Sequence, residues 1–138
     1  METTNPYKSF NTDKSIEELQ YEMLQYKIRL EDLSYTLRFL KKIAESDIYQ
    51  PQVINLFETL ANFKKDIEAI NKKRVLLLKE VDEYKSHIKI KIECDDLACD
   101  NFFINEHDEL EQKLHLFFVN VSNLKIKAFQ YLESVIKK

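Results

Sequence analysis

The sequence predicts an all-α fold: an up-down-up antiparallel bundle of three long, coiled-coil-like helices. Three observations lead there. The 138 residues contain no glycine, where average usage would supply about ten. Glycine serves positive-φ turns, hairpins and phosphate-cradling loops, so its absence argues against β-rich folds and against P-loop or dinucleotide-binding enzymes. The two prolines, Pro6 and Pro51, fall where a helix has not begun or is just beginning. Apolar residues also recur at alternating steps of three and four through three long stretches, the period of helices packed on one another.

Residues 1–14 are polar and aperiodic and predict a flexible N-terminal arm, leaving 15–138 as a single bundle domain. Ser15-Ile16-Glu17-Glu18 fits a capping box, in which the serine hydroxyl and the Glu18 carboxylate each take an exposed amide. From there Ile16, Leu19, Met23, Tyr26, Leu30, Leu33, Leu37, Leu40 and Ala44 form one seam, predicting a helix over about 15–47. Pro51 suits the first turn of a second helix, predicted over 51–92, whose seam runs Val53, Leu56, Leu60, Phe63, Ile67 and Ile70. The seam breaks at Arg74 and resumes through Leu77, Val81, Tyr84 and Ile88. Folding this helix back about residue 49 sets Arg74 beside Glu22, where an ion pair would keep the guanidinium from being buried alone. Ile88-Lys89-Ile90-Lys91-Ile92 alternates with a strand-like period of two, but a lone strand has no partner, so it reads as helix end. A third helix, predicted over 101–137 with its cap near Asn101 or Asn105, carries Leu110, Leu114, Phe117, Val121, Leu124, Ala128, Tyr131 and Val135. Short connectors force neighbouring helices antiparallel.

A helix that touches two neighbours needs a wide apolar stripe. In the second helix Phe57, Leu78 and Ile92 supply that width, as do Ile104, Phe118 and Leu132 in the third. The first helix is different. Its extra apolar residues, Tyr21, Leu24, Ile28, Tyr35 and Phe39, lie roughly opposite its seam, at about 100° per residue. A second apolar face predicts an interface, either with a second copy of the chain or with a helix of a partner protein. Lys27, Glu31, Arg38 and Lys42 flank it as a polar rim.

The net charge of −3 disfavours nucleic-acid binding, which usually shows as a basic excess. From Ile92 to Gln112 there is no Lys or Arg. Asp95, Asp96, Asp108 and Glu109 in this stretch predict an acidic docking surface, with charge aiding the orientation and on-rate of a basic partner. The opening residues carry no basic or apolar signal segment, and no apolar run reaches the length of a membrane span. With Cys94 and Cys99 read as free thiols, the expectation is a cytoplasmic protein that binds no membrane.

No phosphate, nucleotide or hydrolase motif is present, and the Glu-x-x-His spacing of helical di-iron sites does not occur. The chain therefore reads as non-enzymatic and as needing no cofactor. The nearest approach to a metal site is Glu83 and His87 on the second helix with His107 and Glu111 on the third. Cys94 and Cys99 lie in the connector, and a hairpin mirrored about residue 97 brings the two histidines level. Imidazole and thiolate are zinc ligands, but Cys-x4-Cys is not a zinc-knuckle spacing, so the set is a weak candidate.

Overall fold

A computed structural model of the chain describes residues 7–91 and 97–138. The protein is all-α, with three long helices packed antiparallel: α1 (Ile16–Glu45), α2 (Leu56–Lys91) and α3 (Leu97–Val135). Among the described residues there is no strand, only an isolated antiparallel bridge between Tyr49 and Ile136. No described helix is long and apolar enough to cross a membrane. The α1 cap has the expected chemistry: the Ser15 hydroxyl accepts from the Glu18 amide at 3.2 Å, and the Ser15 amide donates back to the Glu18 carboxylate.

The seams build the core. Leu30, Leu33, Leu37 and Leu40 of α1 meet Ile67, Leu77, Val81 and Tyr84 of α2 and Leu110, Leu114, Phe117 and Val121 of α3. At one end a smaller cluster of Tyr49, Leu56, Leu60, Leu132 and Val135 closes the bundle. The α1–α2 connector clamps the end of α3 there, through Gln50 N–H to the Val135 carbonyl (2.8 Å) and Lys137 N–H to the Ile48 carbonyl (2.9 Å). Helix α1 packs mainly on α2, and α2 on α3. The wider gap between α1 and α3 is spanned by large side chains: Arg29 lies 3.9 Å over the Phe118 ring, which stacks on Tyr26.

Five local expectations change. Helix α2 begins at Leu56 rather than Pro51, because 51–55 form turns and Asn55 adopts φ 60°, a left-handed conformation that asparagine tolerates better than most residues. The fold-back therefore shifts: Lys27–Asp82, Lys41–Glu68 and Lys64–Glu45 all pair symmetrically about residues 54–55 instead of 49. Arg74 is consequently carried away from Glu22, and its guanidinium donates to the Leu30 carbonyl (3.3 Å) and the Asn71 side chain (2.9 Å). At the other hairpin α3 starts at Leu97, ahead of Asn101, and its seam extends back through His107 to Phe103, both buried. Phe57, expected to widen the core stripe, points outward and is 78% exposed, since it lies about 100° around α2 from the buried Leu56. Ile92 lies outside the described residues.

Residues 7–14, expected to be a flexible arm, lie against α3. Asn11 is fully buried and donates to Asp108 (2.5 Å) and Glu111 (3.2 Å), and Ser9 donates to Asp108 (2.7 Å). Short polar side chains that look like solvated tail in sequence here satisfy carboxylates on another element.

Candidate functional site

The two fully buried polar side chains among the described residues, Asn11 and His107, belong to one layer near the α2–α3 hairpin. His107 occupies an α3 seam position between Phe103 and Leu110, where the heptad would otherwise place an apolar residue. A buried imidazole must have partners at both nitrogens or carry a large desolvation cost. Its Nδ1 lies 2.8 Å from the hydroxyl of Tyr84, itself a buried seam residue of α2. Its Nε2 faces two carboxylates: Oε2 of Glu22 on α1 at 3.1 Å and Oε2 of Glu111, one turn along α3, at 3.6 Å.

Around this centre the remaining oxygens are also occupied. Oε1 of Glu111 lies 2.8 Å from the Tyr7 hydroxyl and 3.2 Å from the Asn11 amide, and its Oε2 accepts from Tyr26 of α1 at 3.2 Å. Glu22 is also ion-paired to Lys14, whose ammonium donates onward to Asn11. Three helices and the N-terminal segment thus contribute to one polar layer inside an apolar bundle.

The electrostatics follow from that census. Burial pushes the Glu111 carboxyl up. Hydrogen bonds from His107, Tyr7 and Asn11, with electrostatic attraction to His107, more than offset this and leave it at about 2. Tyr26 is raised to about 12 by burial and by the charge of Glu111, and Tyr84 is raised by burial and by the surrounding carboxylates. Both phenols therefore stay protonated, and Tyr26 donates its hydrogen to the Glu111 carboxylate.

The metal ligands suggested by the sequence divide. His107 and Glu111 converge, but His87 and Glu83 do not join them. His87 pairs through Nδ1 with Glu106 at 2.6 Å on the exposed side of the α2–α3 hairpin, and Glu83 is exposed nearby. Cys94, Asp95 and Asp96 lie outside the described residues, as does the side chain of Cys99. The third member of the converging group is Glu22, which the sequence reading paired with Arg74 rather than with His107. One signal for the layer is present in the sequence: continuing the α3 alternation backwards from Leu110 lands on His107, a polar residue on a core stripe. Nothing local in α1 singles out Glu22.

Two surface features complete the picture. Asp108 of the expected acidic docking surface is engaged by Tyr7, Ser9 and Asn11, whereas Glu109 is exposed. On α1, Tyr21 (64%), Leu24, Ile28, Tyr35 (67%) and Phe39 are all exposed, on the side away from the core seam. Comparison with known proteins adds no relative: no family model, curated protein or solved structure matches this chain.

Proposed function

We propose that this protein works by protein–protein contact rather than catalysis, and that the outer face of α1 joins it to a second copy of itself. The observation that carries this reading is the pattern on that face. At about 100° per residue, Tyr21, Leu24, Ile28, Tyr35 and Phe39 fall in a stripe roughly 60° wide. Glu17 and Lys42, both exposed, fall in the same stripe at its two ends.

Such a stripe is complementary to itself when run antiparallel. A two-fold axis midway between residues 29 and 30 sets Glu17 against Lys42 and Leu24 against Tyr35, with Phe39 one residue from the counterpart of Tyr21, and each contact occurs twice, as an isologous interface requires. The aromatic pairs supply apolar area at low side-chain entropy cost, and the end charges select the antiparallel register over the parallel one. The macrodipoles of the two α1 helices also oppose one another in this arrangement.

Light scattering across a concentration series tests the reading. The wild type is expected to be dimeric at high micromolar concentration, and Ile28→Glu with Tyr35→Glu should give a folded monomer. The charge pair provides the sharper arm: Lys42→Glu should weaken the dimer and Glu17→Lys in the same chain should restore it. A wild type that stays monomeric at high micromolar concentration, or a double charge variant no better than the single, overturns the proposal.

A further inference from the structure

The geometry around His107 raises a question that hydrogen bonding alone does not answer. Nε2 of an imidazole carries at most one hydrogen, yet two carboxylate oxygens converge on it. All three donor atoms, one each from Glu22, His107 and Glu111, lie within 4.8 Å of one another. Ligand atoms about 2.0–2.2 Å from a tetrahedral zinc ion are separated by about 3.3–3.6 Å. The two Nε2–oxygen separations, 3.1 and 3.6 Å, bracket that edge. We propose that Glu22, His107 and Glu111 form a three-ligand site for a divalent transition-metal ion of the zinc class.

The surroundings have the features of such a site. A ligating imidazole needs its other nitrogen held, and the Tyr84 hydroxyl is placed to accept from Nδ1–H and leave Nε2 free to ligate. The Glu111 carboxylate is oriented by Tyr26 and Asn11. Helices α1 and α3 fix ligands from two different elements, and residues 7–14 cover the outer side. A nitrogen and two carboxylates give a borderline ligand set that suits zinc and its neighbours better than calcium, which takes six to eight oxygens. Three protein ligands leave the fourth position to water. Lys14 beside Glu22 places a positive charge near the ion, so binding is expected to improve when Lys14 is replaced.

This inference is independent of the α1 interface, since Glu22 lies about 120° around the helix from the apolar stripe. It is tested on the full chain after chelator treatment and dialysis. Titration with Zn²⁺ followed by calorimetry should give one equivalent bound, and Co²⁺ should give visible absorption bands of four-coordinate intensity. In the unmodified protein, the ¹⁵N shift of the His107 ring should move on adding Zn²⁺, a readout that requires no substitution. Glu22→Gln, checked for helicity by circular dichroism, should weaken Zn²⁺ binding at least tenfold, and Lys14→Gln should tighten it. His87→Ala should leave it unchanged. Absence of one-equivalent binding, an unmoved His107 ring signal, or loss of binding in His87→Ala instead of Glu22→Gln overturns the proposal.

Discussion

Glu111 shows how one residue can be controlled by groups scattered through the chain. Its partners come from residues 7, 11, 26 and 107, and together they hold its carboxyl at about 2 against an ordinary 4.5. A folded-state value below the unfolded one means the stabilisation is complete above about pH 4.5 and is lost as pH falls through 2. The size of that loss is of order 2–3 kcal/mol once partial exposure is allowed for. Urea denaturation of the chelator-treated protein between pH 6 and pH 2.5 should therefore show falling stability below about 4.5. In Glu111→Gln that limb should be visibly flatter, with a lower plateau at neutral pH because His107 and Tyr26 lose a charged acceptor. An identical acid limb in the two proteins would mean that other carboxylates dominate.

At the scale of elements, the α1–α2 turn decides more than its five residues suggest. Asn55 sits at φ 60° while its carbonyl accepts the Thr59 amide at 3.0 Å, so it is both the turn's left-handed residue and the first acceptor of α2. The position is one where glycine would relax without cost, in a chain that contains none. Asn55→Gly should be neutral or stabilising by a few tenths of a kcal/mol, whereas Asn55→Val should cost about 1–2 kcal/mol, because a β-branched residue is disfavoured there. Thermal unfolding of the two variants measures the difference directly. If valine proves as stable as asparagine, the left-handed turn is not what sets the start of α2. The same turn sets the pairing register, since a helix starting at Pro51 would slide every α1–α2 contact and return Arg74 towards Glu22.

For the whole molecule, the polar layer ties the N-terminal segment to the bundle. Asp108 accepts from Ser9 and Asn11, and no apolar side chain of residues 7–14 is buried, so the segment is held by hydrogen bonds rather than by core packing. Docking of this kind is cooperative with the layer but contributes little to global stability. Asp108→Asn should therefore loosen residues 7–14, which Glu111 still holds through Tyr7 and Asn11 and Glu22 through Lys14, while leaving the melting transition of the helices within a few degrees. Hydrogen exchange reads this directly: amides of that segment should lose protection in the variant, and those of α1 and α3 should not. Unchanged protection would show that the contacts to Glu111 and Glu22 suffice to anchor the segment.

What the sequence by itself determined is the class and the count of elements. The absence of glycine and three runs of alternating threes and fours are properties of short windows, and such windows suffice to specify three amphipathic helices, the α1 capping box and the exposure of Tyr21, Ile28 and Tyr35. The mirror line of the α2–α3 hairpin was also legible: Glu80–Lys113 and His87–Glu106 pair about residues 96–97, close to the expected 97. The tertiary structure alone decided the rest. Glu22 and His107 are far apart in sequence, and their meeting depends on the α1–α2 register, which lies about residues 54–55 instead of 49. Residues 7–14 have no periodicity to betray a docking partner, because their contacts are hydrogen bonds to carboxylates rather than an apolar stripe. Helical periodicity reports which side of an element faces the core; which polar groups share a layer is set by how the elements slide past one another.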